Sequence, residues 1–534
     1  MVTHVSIRSA TITKMNKETD TIDTPVSDKA QNSVAVSDKT PASDETPAPD
    51  ETPASDETPV SDKTLAPDET SAPDGLPVRD RMRVLTIMVS GTTAACISQS
   101  MMIAALPTIM QDFAVDATFG QLLTTGYIFT LGLISAMCAY LMNRVNSKKL
   151  FLFAMGCFVI GCAAAIVAPN YPLLLAARLL QAGGAGISLP LIQLVALNVY
   201  PKSQYGRAMS IVGLIIGFAP AIGPTISGFL IDLWGWHSVF VVLGTITLIV
   251  MAATVLFLDD VVKRPDAQTE FDPLSAVLYT LGFVALMAGI TALMSKDTTS
   301  LLAILPCALG VLVLFVFVRR DLRIQNPLLK LSCFYDRTFA VSCALVVLSH
   351  MAFMAPSIMV PLFVQDIQGL SATVSGLTIL PGAIMVGVLN PVTGRFLDAH
   401  GPFPLLIVGG ILIVSGTVAF ALIDPGVHEW VITAIYGVRS CGIACIMMPM
   451  TAHACTTLDE HDLAQGSAII TSARQLIGSL LSSVLIAIMA LIATNTLGVD
   501  AHGFHVSFWV QSAIIACGII AGIILLPKKS VRKK

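Results

Sequence analysis

The sequence predicts an all-α polytopic membrane protein, and three observations carry that prediction. Of 534 residues, 54% are hydrophobic and only 12% charged, against about 25% charged in soluble domains, and mean hydropathy is +0.77. Fourteen apolar stretches follow one another from residue 84 to 526, each near or beyond the roughly 20 residues that cross a bilayer. Basic residues gather in alternate loops, as spans of fixed orientation require.

Residues 1–78 precede the first span. From Ser37 to Ala72 they repeat every six residues as SDKTPA, SDETPA, PDETPA, SDETPV, SDKTLA and PDETSA. Proline is frequent and aromatics are absent, so the segment cannot bury enough surface to offset its ordering entropy and is expected to be disordered. Residues 1–75 hold 15 acids and 6 bases, a net of −9, and the remainder is +5. The acidic excess is therefore a property of this tail. The first 80 residues contain no apolar run, so the first span is expected to act as the insertion signal.

The stretches run at about 84–109, 120–142, 149–169, 171–199, 205–230, 237–258, 273–295, 299–318, 338–364, 372–394, 403–423, 430–455, 467–493 and 505–526. One set of loops carries Arg79, Arg81 and Arg83; Arg144, Lys148 and Lys149; Lys202 and Arg207; Lys263 and Arg264; Arg319, Arg320, Arg323, Lys330 and Arg337; Arg395; and Lys528 to Lys534. The opposite set carries only Lys296. The positive-inside rule makes the basic loops, and with them both termini, cytoplasmic. The loop TTLDEHDLAQG is acidic and departs from the pattern.

An internal repeat divides the spans. The first ends in Pro107-x-x-x-Gln111-Asp112-Phe113 and the ninth in Pro361-x-x-x-Gln365-Asp366-Ile367. Arg144 and Arg395 end the spans that follow, and Arg178 and Arg439 lie within the fourth span of each half. The expected organisation is a six-span half over 79–260, two inserted spans and a basic linker over 261–335, and a second six-span half over 336–534. Repeated halves with a central site are the architecture of alternating-access carriers.

The fifth stretch, YGRAMSIVGLIIGFAPAIGPTISGFLIDLWGW, has no charge from Ala208 to Ile231 yet holds Gly213, Gly217, Gly223, Gly228, Pro220 and Pro224. Small residues let neighbouring backbones approach closely in lipid, and proline bends a helix. A tightly packed, bent helix is expected, serving either ordinary packing or hinge-like motion.

Arg178 lies seven residues into its span. A charge at that depth is costly and by default functional, the alternative being an arginine that snorkels to the interface. Gln181 shares its face, Gly183, Gly184 and Gly186 permit close approach, and Pro190 bends the second half. Arg439 is a weaker counterpart. Arg474 is expected to anchor the cytoplasmic end of the thirteenth span. His350 is titratable in principle, or a packing residue. Gln121, Thr124, Thr125 and Tyr127 open the second span and could line a pathway. Asp112 and Asp366 fit an interfacial place. No acid lies at the centre of an apolar stretch, which favours neutral, zwitterionic or anionic substrates over cations. No GxxxxGK[ST], HExxH or GxSxG motif is present, which excludes direct drive by ATP and disfavours an enzyme. The eleven cysteines lack CxxC spacing. Cys441 and Cys445 share a helix face with no His or carboxylate on it, so no metal, disulfide framework or cofactor is expected.

With these residues in view, residues 84–526 resemble the major facilitator superfamily, specifically its fourteen-span drug:H⁺ antiporter branch and the lincomycin-type bacterial multidrug exporters. ALPTIMQDF is similar to the end of that branch's first span. GYIFTLGLISAMCAYLMNRVNSKKLFL is similar to its loop 2–3 motif, with Arg144, Lys148 and Lys149 kept but Ala139 and Asn143 in place of Gly and Asp. ARLLQAGGAG, GFAPAIGPTISG, GWHSVF, LPG at 380–382, NPVTGRFLDAHG and GSAIITSARQLIGS match further motifs, keeping Gly394, Arg395, Asp398 and Gly401 in the second half. Many relatives carry an acid where this chain has Ser98. The resemblance implies two six-helix bundles plus two inserted helices. It implies proton-driven export of amphipathic drugs or antibiotics from the plasma membrane by a monomer, with no nucleic-acid partner. Arg178, Gln181 and His350 would serve proton coupling. Gln121, Thr125, Tyr127, Gly217, Pro220, Gly223 and Pro224 would line the substrate pathway. Arg144, Lys148, Arg395 and Asp398 would form the conformational-switch loops. An endogenous solute or lipid-like metabolite as substrate, or a non-transporting sensor or scaffold, are the alternatives.

Overall fold

The computed structural model describes residues 78–115, 117–258, 272–294, 300–324, 327–459, 462–492 and 500–526. The hexapeptide tail, Lys263, Arg264, Lys296 and Lys528 to Lys534 lie outside the described residues, as do the side chains of Arg79, Arg81, Gln121, Pro220 and Pro224.

The helices run in order as α1 (Val78–Phe113), α2 (Ala117–Arg144), α3 (Ser147–Ile166), α4 (Tyr171–Val199), α5 (Tyr205–Trp234), α6 (His237–Phe257), α7 (Pro273–Met294), α8 (Ser300–Asp321), α9 (Arg337–Leu362), α10 (Ala372–His400), α11 (Pro402–Ala421), α12 (Glu429–Thr456), α13 (Leu463–Ile492) and α14 (Ala501–Leu525). Each expected stretch becomes a helix. Twelve are long and apolar enough to cross a membrane among the described residues, α5 and α8 being the two outside that set.

Local chemistry sets the helix ends. Asn170, Asp336, Ser371 and Asp500 accept from first-turn N–H groups of α4, α9, α10 and α14, groups that have no partner inside a helix. Gly235 (φ 74°) ends α5 and Gly401 (φ 79°) ends α10, a backbone region where glycine pays no Cβ penalty. Trp236, just past Gly235, donates its indole N–H to Asp112 Oδ2 at 2.5 Å, tying α1 to the α5–α6 turn.

The internal repeat is visible in the packing. Helix α4 packs on α2 and α3, α1 on α5, and α3 on α6; α12 packs on α10 and α11, α9 on α13, and α11 on α14. The two helix sets, α1–α6 and α9–α14, meet mainly along α5–α10 and α2–α13. Helices α7 and α8 pack on each other, with Gly310 close against the Gly282 carbonyl and the Leu286 N–H. They join the rest through Tyr279, whose hydroxyl lies 2.5 Å from Ser472 Oγ on α13.

Candidate functional site

The α4 arginine is buried completely. Glycines allow this: a Cβ at Gly184 would strike the Ala154 carbonyl, and one at Gly186 would lie 2.7 Å from the Leu131 carbonyl. Helix α4 is thereby pressed between α3 and α2. Arg178 Nη1 donates to Ser98 Oγ at 2.7 Å and to Gln181 Oε1 at 2.6 Å, and Nη2 donates to the Ser98 carbonyl at 3.4 Å. Its guanidinium stands 4.3 Å from the Tyr127 ring centroid and 6.0 Å from that of Phe240, the cation–π geometry that stabilises a desolvated cation. Tyr127 donates to the Ala95 carbonyl at 2.9 Å. Arg178 and Gln181 are both 0% exposed, so the arginine does not snorkel. Ser98 is thus the arginine's direct partner, a neutral one.

Arg439 occupies the matching place in α12. Its Nε donates to Thr417 at 3.0 Å, and Nη2 donates to the Ala352 carbonyl and to Gln511 at 3.3 Å.

Arg474 corrects the expectation of an interfacial anchor. Helix α13 begins at Leu463, earlier than its apolar stretch, so Arg474 lies eleven residues in, roughly 16 Å along the axis. It is 2% exposed, and its Nε and Nη1 have no hydrogen-bond partner. His350 is 4% exposed, its Nδ1 is likewise unpartnered, and its ring packs where a Gly478 Cβ would lie, one turn beyond Arg474. In contrast, every described helical acid sits at a helix end: Asp80, Asp112, Asp232, Asp321, Asp366, Asp398 and Glu429. The ion pairs among the described residues, Arg320–Asp272, Lys330–Asp462 and His428–Glu429, leave out all three buried arginines.

The expected pathway residues divide by place. Tyr127 belongs to the Arg178 shell, and Thr125 is half-buried. Gly217 packs on α10, where its Cβ would lie 2.7 Å from the Gly387 nitrogen, and Gly223 packs on Ser100 of α1. Both sit in helix seams. Gly228 faces open space. Helix α5 runs unbroken through Pro220 and Pro224.

The switch-loop residues also divide. Asp398 accepts from the N–H groups of Gly206 and Arg207 at 2.7 and 2.8 Å, the first turn of α5. Alongside, a Cβ at Gly206 or Gly394 would strike the other's carbonyl. Lys148 instead donates to the Val255 carbonyl at 3.1 Å, near the end of α6. Arg144 lies over its neighbour Tyr140, and Arg395 is exposed. Sequence reasoning missed the contacts that complete the seams. Asn390 donates to the Gly213 carbonyl at 2.7 Å, Thr471 to Gln193 at 3.1 Å, Ser472 to the Gly132 carbonyl at 2.9 Å, and Lys202 to the Leu458 carbonyl at 2.9 Å. These four bonds and the two to Asp398 all lie toward the side bearing the basic loops.

The sequence profile of the Major Facilitator Superfamily matches residues 88–483. The chain belongs to this superfamily. An MFS-type transporter of Bacillus subtilis, YcnB, is 33% identical over 453 residues, covering 84% of this chain and 95% of its own. The lincomycin resistance protein LmrB of Listeria monocytogenes is 30% identical over 464 residues, covering 85% and 98%. Among solved structures, the proton:xylose symporter XylE superposes with TM-score 0.61 at 11% identity, covering 84% of this chain and 96% of that one. The superfamily fold accounts for the repeated packing pattern, and the chain is a multi-pass membrane transporter rather than an enzyme.

Proposed function

We propose that the chain is a fourteen-span secondary active exporter of amphipathic small molecules, drugs and antibiotics among them, driven by proton antiport through alternating access. In this reading α1–α6 and α9–α14 form two six-helix bundles, α7 and α8 cross the membrane between them, and both termini are cytoplasmic in the plasma membrane. The observation that carries it is the pair of seams. Among the described residues, six hydrogen bonds join the two helix sets, all toward the basic side, an arrangement that suits a carrier closed to the cytoplasm. Interfaces made of a few polar contacts over glycine-rich backbone can part and re-form as bodies rock. The lincomycin resistance relative supports the substrate range.

Arg178 and Gln181 take part in coupling. With Ser98 as partner, the arginine has no carboxylate to exchange for a proton, so its role is to hold α1 and α4 in a charge-dependent arrangement. The test is drug resistance and ΔpH-driven efflux in inverted vesicles, wild type against Arg178→Ala. Removing a buried, hydrogen-bonded cation that organises three side chains should lower efflux by at least tenfold. Wild-type efflux in the variant would defeat the coupling assignment, and a wild type without ΔpH-driven efflux would defeat the antiport reading.

A further inference from the structure

Three arginines lie buried among the described residues, and Arg474 is the one with two unpartnered donor nitrogens. Arg178 and Arg439 each donate to three oxygen acceptors, though Arg178 Nε is also unpartnered. Arg474 leaves Nε and Nη1 empty while 2% exposed. A buried guanidinium without acceptors forfeits its hydration and receives nothing in return. Native proteins rarely keep such a group unless it meets something else during function.

The surroundings define what it could meet. Gly478, one turn along α13, opens the space that the His350 ring enters from α9. His350 adds a third unpartnered nitrogen. Cys96 of α1, half-buried, and His350 both lie within electrostatic reach of the arginine. Helix α13 also lines the seam with α2 and α4, through Ser472 to Gly132 and Thr471 to Gln193. The arginine thus stands where the two helix sets meet, the place an alternating-access carrier presents to each side in turn. No described acid is within a hydrogen bond of it.

We propose that Arg474, with His350 beside it, is the recognition site for the anionic group of the transported molecule, a carboxylate on an amphipathic body. This rests on the transporter reading and names its substrate class. The cation supplies the charge-assisted hydrogen bonds, the imidazole supplies a second polar contact, and the apolar faces of α9, α13 and α1 take the body of the ligand.

The test uses the full chain in phosphatidylcholine nanodiscs and two probes, dansyl-aminoundecanoic acid and its primary amide, followed by fluorescence anisotropy. The acid should bind about tenfold tighter than the amide. Arg474→Gln should erase that preference while amide affinity stays within about twofold. Equal binding of the two probes by wild type, or a preference that survives Arg474→Gln, overturns the proposal. If Arg474→Gln no longer binds the amide, Arg474→Lys replaces it. That variant keeps a charge but loses the planar donor fork, so the preference should fall about threefold, and an unchanged preference overturns the proposal. Repeating the wild-type titration with phosphatidylglycerol separates lipid from substrate: a preference lost there marks a headgroup site and overturns the substrate assignment. ΔpH-driven efflux of both probes reports transport separately, so a chain that discriminates acid from amide yet exports neither has failed as an exporter and not as an anion binder.

Discussion

Along one seam, α10 delivers Asp398 to the first turn of α5. Along the other, α2 delivers Asn143, which stands four residues after Ala139 as Asp398 stands four after Gly394. Asp398 accepts from Gly206 and Arg207. The Asn143 Oδ1 is buried with no partner. The start of α13 is held by other means: Lys330 of the linker donates its N–H to Gln465 at 3.2 Å and its ammonium to Asp462 at 2.7 Å. One seam is therefore clamped by a carboxylate against a helix N-terminus, where negative charge is favoured. The other is strapped from outside by the segment that follows the inserted helices. A repeat conserved in backbone has been made asymmetric in charge, and the inserted pair has gained a mechanical connection to one seam only. Tyr279 of α7, bonded to Ser472, adds to that connection within the membrane.

The largest effect should come from breaking the clamp. Asp398→Ala removes two charge-assisted hydrogen bonds, together about 1–3 kcal/mol after discounting for exposure. Amide hydrogen exchange in the first turns of α5 should accelerate about tenfold, with exchange at the start of α13 unchanged. Equal acceleration at both ends would show that the seams open as one unit and that the asymmetry carries no mechanical weight.

A smaller, opposite effect should come from restoring symmetry. Asn143→Asp gives α2 the charge that α10 has. If the α13 first turn is within reach, its amides should exchange several-fold more slowly, and efflux should slow because a second clamp must open in each cycle. Slowed exchange with unchanged efflux would mean that opening of this seam does not limit the cycle. Unchanged exchange would mean that the strap already holds the α13 terminus out of reach.

Much of this was legible in one dimension. Every helix follows from an apolar stretch of sufficient length, and Arg178 with Gln181 follows from a charge at depth and an i, i+3 spacing on one face. Gly213-x-x-x-Gly217 announced a close packing face. Contacts between distant segments were not legible, because no local pattern encodes a partner: Ser98 lies 80 residues from Arg178, and Asp398 lies 192 from Gly206. Arg474 was misplaced for a different reason. Polar residues at the start of α13, Gln465 and Ser467, delay the apolar signal but not the helix, so the arginine lies deeper than its stretch suggests. The glycines of α5 read as candidates for lining a pathway, since a residue chosen for smallness leaves the same trace whether it faces a ligand or another backbone.

The smallest effect concerns the strap and depends on pH. Asp321 closes α8 at the linker, 2% exposed, and its Oδ1 accepts from the Leu328 N–H at 3.0 Å, shaping the turn that brings Lys330 to α13. Its Oδ2 has no partner, and burial pushes its carboxyl up to about 7. The folded chain therefore keeps this proton to near neutrality, whereas an unfolded aspartate releases it near pH 4. Between those values the folded state binds more protons, so stability falls as pH rises and levels off above about pH 7. Asp321→Asn keeps the acceptor for Leu328 and removes the titration. Its melting temperature should exceed that of wild type by about 1–3 °C at pH 8, with a smaller advantage at pH 5. The extra protection at pH 8 should appear in the exchange of linker and α13 amides and not in those of α5. An advantage independent of pH would mean that the carboxyl is ionised in the fold throughout. One that reached α5 would mean that the strap and the clamp are a single device.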